Sequence, residues 1–120
     1  MTQEGIDLVK LHTGRFSPSD ANAIMIERLE KILRGELAIM AVDKRFYTHE
    51  LRELERFRAL GVADGVDPND EGVIWNNTHS ATLEDYKLKD AFELLYSPDA
   101  IDADDKQREK EYKQMGGAKR

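Results

Sequence analysis

The chain has 120 residues, no cysteine, 40% hydrophobic and 35% charged residues, and a formal net charge of −6. This length fits one domain with a single modest core, and the missing cysteine excludes disulfides and thiolate metal sites. No stretch reaches the roughly 20 apolar residues that a membrane span requires, and no charged start leads into an apolar run, so neither a span nor a signal peptide is predicted.

The charge is unevenly spread. Residues 1–60 hold ten Lys/Arg and ten Asp/Glu, whereas residues 61–120 hold eight against fourteen. A nucleic-acid binder normally carries a basic patch that neutralises phosphate. The only dense basic cluster here is Lys44, Arg45, Arg52, Arg56 and Arg58.

In chain order, residues 1–16 form a mixed N-terminal segment in which Ile6 to Leu11 could make a short helix. Ser17-Pro18-Ser19-Asp20 sets a capping hydroxyl ahead of a proline at the first helical position, with an acid in the first turn. Ile24, Met25, Leu29, Ile32 and Leu33 then recur at helical spacing, and Gly35 is the expected stop. LAIMAV, residues 37–42, is the only strand candidate. The next helix is expected from Asp43 to Leu60, ending at Gly61, followed by a turn-rich loop, VADGVDPNDEG. Further helices are expected over Ile74 to Tyr86 and in KLKDAFELLY. Ser97-Pro98-Asp99 repeats the earlier start signal and opens a polar last helix. Its acids lie early and its bases late, as the helix dipole favours, and the GGAKR tail is expected to fray. The fold class is therefore all-α: a single-domain bundle of four to five helices, with 17–96 as its helical core and 97–120 as a polar helix and tail.

On a wheel of the Arg45–Leu60 helix with Tyr47 at zero, Leu51, Leu54, Phe57 and Phe46 define an apolar stripe centred at about −30°. Glu50 falls inside that stripe, and so does Arg58. His49, Arg45, Arg52 and Arg56 fall on the far side. An ionised carboxylate on an apolar face is costly unless paired, which makes Glu50 the odd residue of this helix. It reads either as half of a Glu–Arg pair at the core rim or as a functional carboxylate. His49 reads on geometry as a solvated helix residue. In the following helix His79, Leu83 and Tyr86 sit at i, i+4 and i+7, so His79 shares an apolar face. It is either a hydrogen-bonded core histidine or a proton carrier near neutral pH.

Metal and nucleotide signatures are weak. His49-Glu50 lacks the second histidine of H-E-x-x-H, because position 53 is Glu. The sequence also lacks an EF-hand loop, a P-loop and a dinucleotide glycine fingerprint. No metal ligands and no cofactor are assigned from sequence.

The ordered set of Phe46, Tyr47, His49 and Glu50, then His79, Leu83 and Tyr86, then Tyr96 and Pro98 resembles the C-terminal toxin modules of bacterial polymorphic toxins, of the Rhs and contact-dependent inhibition (CdiA) kinds. The resemblance spans roughly Ile24 to Ile101. It departs at Ser97, where the group often has His, and in a longer, more acidic loop from Gly61 to Trp75. The resemblance implies an antibacterial effector, delivered from a neighbouring cell as part of a larger secreted protein. Such an effector acts in the bacterial cytoplasm and is neutralised by a cognate immunity protein.

The function expected on this basis is a small metal-independent nuclease, RNA before DNA. His79, Glu50 and His49 would be acid or base, and Arg45 would anchor phosphate. Tyr47, Tyr86, Tyr96 and Arg58 would contact substrate, Tyr47 and Tyr86 by stacking a base or orienting a phosphate. Two other readings stay open. One is a non-catalytic acidic all-α interaction protein, such as an immunity protein or adaptor. The other is metal-dependent hydrolysis, which needs a carboxylate from outside the His49-Glu50-Leu51 stretch.

Overall fold

The computed structural model describes residues 1–16, 18–67 and 95–114, and four helices make up its regular structure. They are α1 (Gln3–Thr13), α2 (Asp20–Leu33), α3 (Ala41–Ala59) and α4 (Pro98–Gln114). The protein is all-α, and no strand occurs among the described residues. The helices expected over Ile74–Tyr86 and in KLKDAFELLY lie outside the described residues.

α1 is longer than Ile6–Leu11 at both ends. The Thr2 hydroxyl accepts the Gly5 N–H at 3.0 Å and starts the helix three residues earlier than Ile6. Glu4 lies in the first turn and Lys10 and His12 in the last, which suits the dipole. α2 begins one serine later than the sequence pattern suggests. Ser19 is the cap, its Oγ accepting the Asn22 N–H at 3.2 Å, and Pro18 precedes the helix. α3 starts at Ala41, so LAIMAV is not a strand: residues 37–40 form an irregular link and Ala41-Val42 open the helix.

The expected stops at Gly35 and Gly61 are both present, for one physical reason. Each glycine adopts a left-handed φ, 79° and 81°. In each case the glycine N–H and the next one fold back on the last turn: Gly35 to the Ile32 carbonyl and Glu36 to Lys31, then Gly61 to Arg58 and Val62 to Phe57. This double bond satisfies carbonyls that a helix end otherwise leaves bare.

α2 packs against all three other helices, and α1 also packs on α3. The apolar core joins Ile6 and Val9 of α1, Ala21, Met25 and Leu29 of α2, Val42 and Phe46 of α3, and Ala100 of α4. Asp43, fully buried at the start of α3, ties α3 to α2. It accepts the Met40 N–H at 2.9 Å and a two-pronged Arg28 guanidinium at 2.7 and 2.8 Å. Such a paired geometry offsets the cost of desolvating the buried carboxylate.

α4 starts where Ser97-Pro98-Asp99 predicts. Ser97 is buried, its Oγ accepts the Ala100 N–H at 3.3 Å, and its own N–H approaches the Met25 sulfur at 3.3 Å. Farther along, the Gln107 amide clasps the entry to α2, donating to the Pro18 carbonyl at 2.9 Å and accepting from the Asp20 N–H at 2.8 Å.

α1 and α3 run in the same direction, since Gly5 meets Tyr47 and His12 meets Glu53. At Gly5 the approach is so close that a Cβ would run into the Tyr47 hydroxyl and ring. Gly5→Ala is therefore expected to lower stability by about 1–3 kcal/mol despite alanine's better helix propensity. Combining it with Tyr47→Phe, which withdraws the hydroxyl, should return part of the loss. Urea melts of the two variants followed by circular dichroism measure both effects.

Candidate functional site

At the C-terminal end of α1, His12 turns toward α3 and enters a polar cluster enclosed by the bundle. Its Nε2 lies 3.0 Å from Glu53 Oε1 and 3.8 Å from Glu50 Oε2. The other Glu53 oxygen, Oε2, lies 2.7 Å from His49 Nε2. One carboxylate thus bridges two imidazoles. His12 is 0% exposed, His49 and Glu53 1%, and Glu50 8%, so Glu50 marks the side nearest solvent. His49 and Glu53 are one helical turn apart, and Glu50 sits three residues before Glu53, so α3 presents all three on one flank.

Aromatic edges wall the His12 ring. Phe57 meets it at 4.9 Å and Phe16 at 5.6 Å between centroids, both nearly perpendicular. Arg15, buried beside them, lays its guanidinium over the Phe57 ring at 4.5 Å and donates from Nη1 to the Val66 carbonyl at 3.1 Å. Burial lowers its pKa, partly opposed by nearby carboxylates including Glu53. Burial, then the neighbouring Glu53 charge, pushes the Glu50 carboxyl well above the usual carboxylate range. Glu50 accepts no hydrogen bond from the described residues, and its one close charge partner among them is His12. Tyr96 borders the same region: burial and the Glu50 and Glu53 charges raise its pKa, and its hydroxyl donates to Asn22 Oδ1 at 2.6 Å.

Of the sequence candidates, Glu50 and His49 converge in this cluster. His49 is not a solvated back-face residue, and Arg58 is not on the buried stripe. The buried set of α3 is Val42, Asp43, Phe46, His49, Glu50, Glu53, Leu54 and Phe57, which centres the stripe at about −90° rather than −30°. The rotation has a cause in packing: α1 and α2 both lie against α3, so its covered arc extends past Phe46 to Glu53 and His49. Arg58 is exposed and holds Asp64 at 2.8 and 3.0 Å. Arg45 is half-buried one turn before His49. Tyr47 packs against α1, with its hydroxyl 3.4 Å from the Thr2 N–H. Tyr96 packs edge-on to Phe46 at 5.5 Å. His79 and Tyr86 lie outside the described residues.

Sequence reasoning missed His12, Glu53 and Arg15. A signal for His12 was present: Gly5, Val9 and His12 are spaced i, i+4 and i+7 on one face. It is visible only when the helix is carried through to Thr13.

Family models, curated proteins and solved structures give no match to this chain. No described helix is long and apolar enough to cross a membrane.

The cluster has a pH signature. The Glu50 carboxyl holds its proton more tightly folded than unfolded, so its contribution to stability is complete below the ordinary carboxylate range. It is lost as pH rises through the raised folded value. Glu50→Gln should match the parent at acid pH and exceed it by about 1–2 kcal/mol around neutrality. Glu53→Ala strips two buried imidazoles of their shared acceptor and should cost about 3 kcal/mol. Denaturant melts of parent and variants across pH 4–8 test both signs.

Proposed function

We propose that this chain is an antibacterial toxin module that hydrolyses a phosphodiester, RNA before DNA, at the cluster of His12, His49, Glu50 and Glu53. The supporting observation is the bridging of two buried imidazoles by Glu53, with a second buried carboxyl, Glu50, beside them. Apolar side chains would fill this volume at lower folding cost. Strongly perturbed ionisable groups held together concentrate at functional sites.

In this reading His12 and Glu53 act as a proton-accepting pair, with the carboxylate steadying the imidazolium that forms. His49 fixes the other Glu53 oxygen. Glu50, which keeps its proton above the ordinary carboxylate range, is the general acid. Arg15, and Arg45 one turn before His49, are the cations for a developing phosphate charge. Glu53 also supplies a carboxylate outside the His49-Glu50-Leu51 stretch, so metal-assisted hydrolysis stands beside the acid–base route. A cognate immunity protein would cover the site, and delivery would be within a larger secreted protein that reaches the cytoplasm of a target cell.

The resemblance supplies the toxin context and the cluster supplies the chemistry. A second reading, an acidic interaction protein, draws on the net charge of −6 and on basic side chains already engaged, Arg28 by Asp43, Arg34 by Glu36 and Arg58 by Asp64.

Induced expression in a bacterial host separates the two. The toxin reading expects the parent to stop growth and degrade total RNA, with His12→Ala and Glu50→Gln each lowering activity by about a hundredfold or more. Healthy growth of cells filled with folded, soluble parent protein would reject it in favour of the interaction protein.

A further inference from the structure

The donor set at the α1–α3 contact has a use beyond moving protons. His12 Nε2 and one carboxylate oxygen each from Glu50 and Glu53 all lie within 4.8 Å of one another. We propose that His12, Glu50 and Glu53 form a binding site for one first-row divalent cation of the zinc or manganese class.

Four observations carry this assignment. The first is spacing. Nitrogen and oxygen ligands at about 2.0–2.2 Å from a tetrahedral ion stand about 3.3–3.5 Å apart. His12 Nε2 lies 3.0 Å from Glu53 and 3.8 Å from Glu50, separations that bracket this range. The second is an unmet need. The Glu50 side chain is nine-tenths buried, points at His12, and accepts no hydrogen bond from the described residues. Its nearest like charge is Glu53. A divalent cation between the two carboxylates would turn their repulsion into attraction.

The third is support around the ligands. His49 Nε2 holds the second Glu53 oxygen at 2.7 Å, as outer residues do to orient a ligating carboxylate. Phe16 and Phe57 fix the His12 ring from the sides. The fourth is donor chemistry. One imidazole and two carboxylates suit zinc, manganese or ferrous iron rather than calcium or magnesium, which prefer all-oxygen shells. Three protein ligands leave a coordination position for water on the Glu50 side, where the cluster comes closest to solvent.

The assignment does not depend on the toxin reading, because an ion at this place could equally brace α1 against α3. Its test therefore reads binding, not killing. The purified full chain is stripped with chelator and titrated with Zn2+ and separately with Mn2+ by calorimetry, with thermal melts in parallel. The expected result is one ion per chain with at least one of the two metals, together with a rise in melting temperature. Glu50→Gln should weaken binding by at least about a hundredfold, since loss of even an outer-shell partner costs tenfold to a hundredfold. In chelator this variant is expected to be no less stable than the parent, so its lost affinity cannot be charged to unfolding. His12→Gln should lose binding likewise, and the exposed Glu55→Gln should leave it unchanged. Absence of binding heat and melting shift for both metals would overturn the proposal. So would binding that survives Glu50→Gln and His12→Gln together.

Discussion

The Glu53 carboxylate, held between His12 of α1 and His49 of its own helix, is the constraint on which this end of the bundle depends. An ionised carboxylate cannot be enclosed by a small helical domain unless both oxygens find donors, and here each oxygen meets one imidazole. The cost of a one-sided arrangement therefore fixes the rotation of α1 about its axis. Gly5 against Tyr47 fixes the same helix near its other end, by steric contact instead of charge. Two points set seven residues apart pin α1 along α3, and the apolar pairs between them, Ile6 and Val9 on α1, complete the core.

The bundle divides its polar and apolar duties by place. α2 carries the apolar centre through Ala21, Met25 and Leu29, and its deep charge contact among the described residues, Arg28 with Asp43, is a satisfied pair. The histidine–glutamate cluster lies where α1 meets α3, walled by aromatic edges. In that low-polarity setting interactions between charges are stronger than at a surface. Asp43 and Glu50 show how differently two buried carboxylates can fare on one helix. Asp43 has a guanidinium and a backbone N–H, whereas Glu50 meets, among the described residues, a single imidazole at 3.8 Å. Asp43 is explained by architecture alone, and Glu50 is not.

Local signals were legible in the sequence, and relations between helices were not. Capping hydroxyls, the glycine stops at Gly35 and Gly61, and the Ser97-Pro98-Asp99 start depend on a few neighbouring residues, and they read correctly to within one or two positions. The inward turn of Glu50 was also legible, because an acid inside an apolar stripe is conspicuous. The positions of His49 and Arg58 differ from the sequence expectation, and Glu53 was passed over, because the wheel was centred on large apolar residues alone. A helix covered by two neighbours buries a wider arc than its apolar residues mark, and polar side chains fill the remainder. His12 could not be paired with Glu53 from the sequence, as the two are forty-one residues apart and only the α1–α3 contact joins them.

The Gln107 clasp divides α4 into two mechanical halves. Up to that residue the helix is anchored by buried Ala100 and by the amide bridge to Pro18 and Asp20. Beyond it, the turns are braced by neighbours on the same helix, such as Lys113 with Glu109. Pairs of that kind favour helix over coil without tying it to anything else. Amide protons on the early turns are therefore expected to exchange more slowly than those past Gln107.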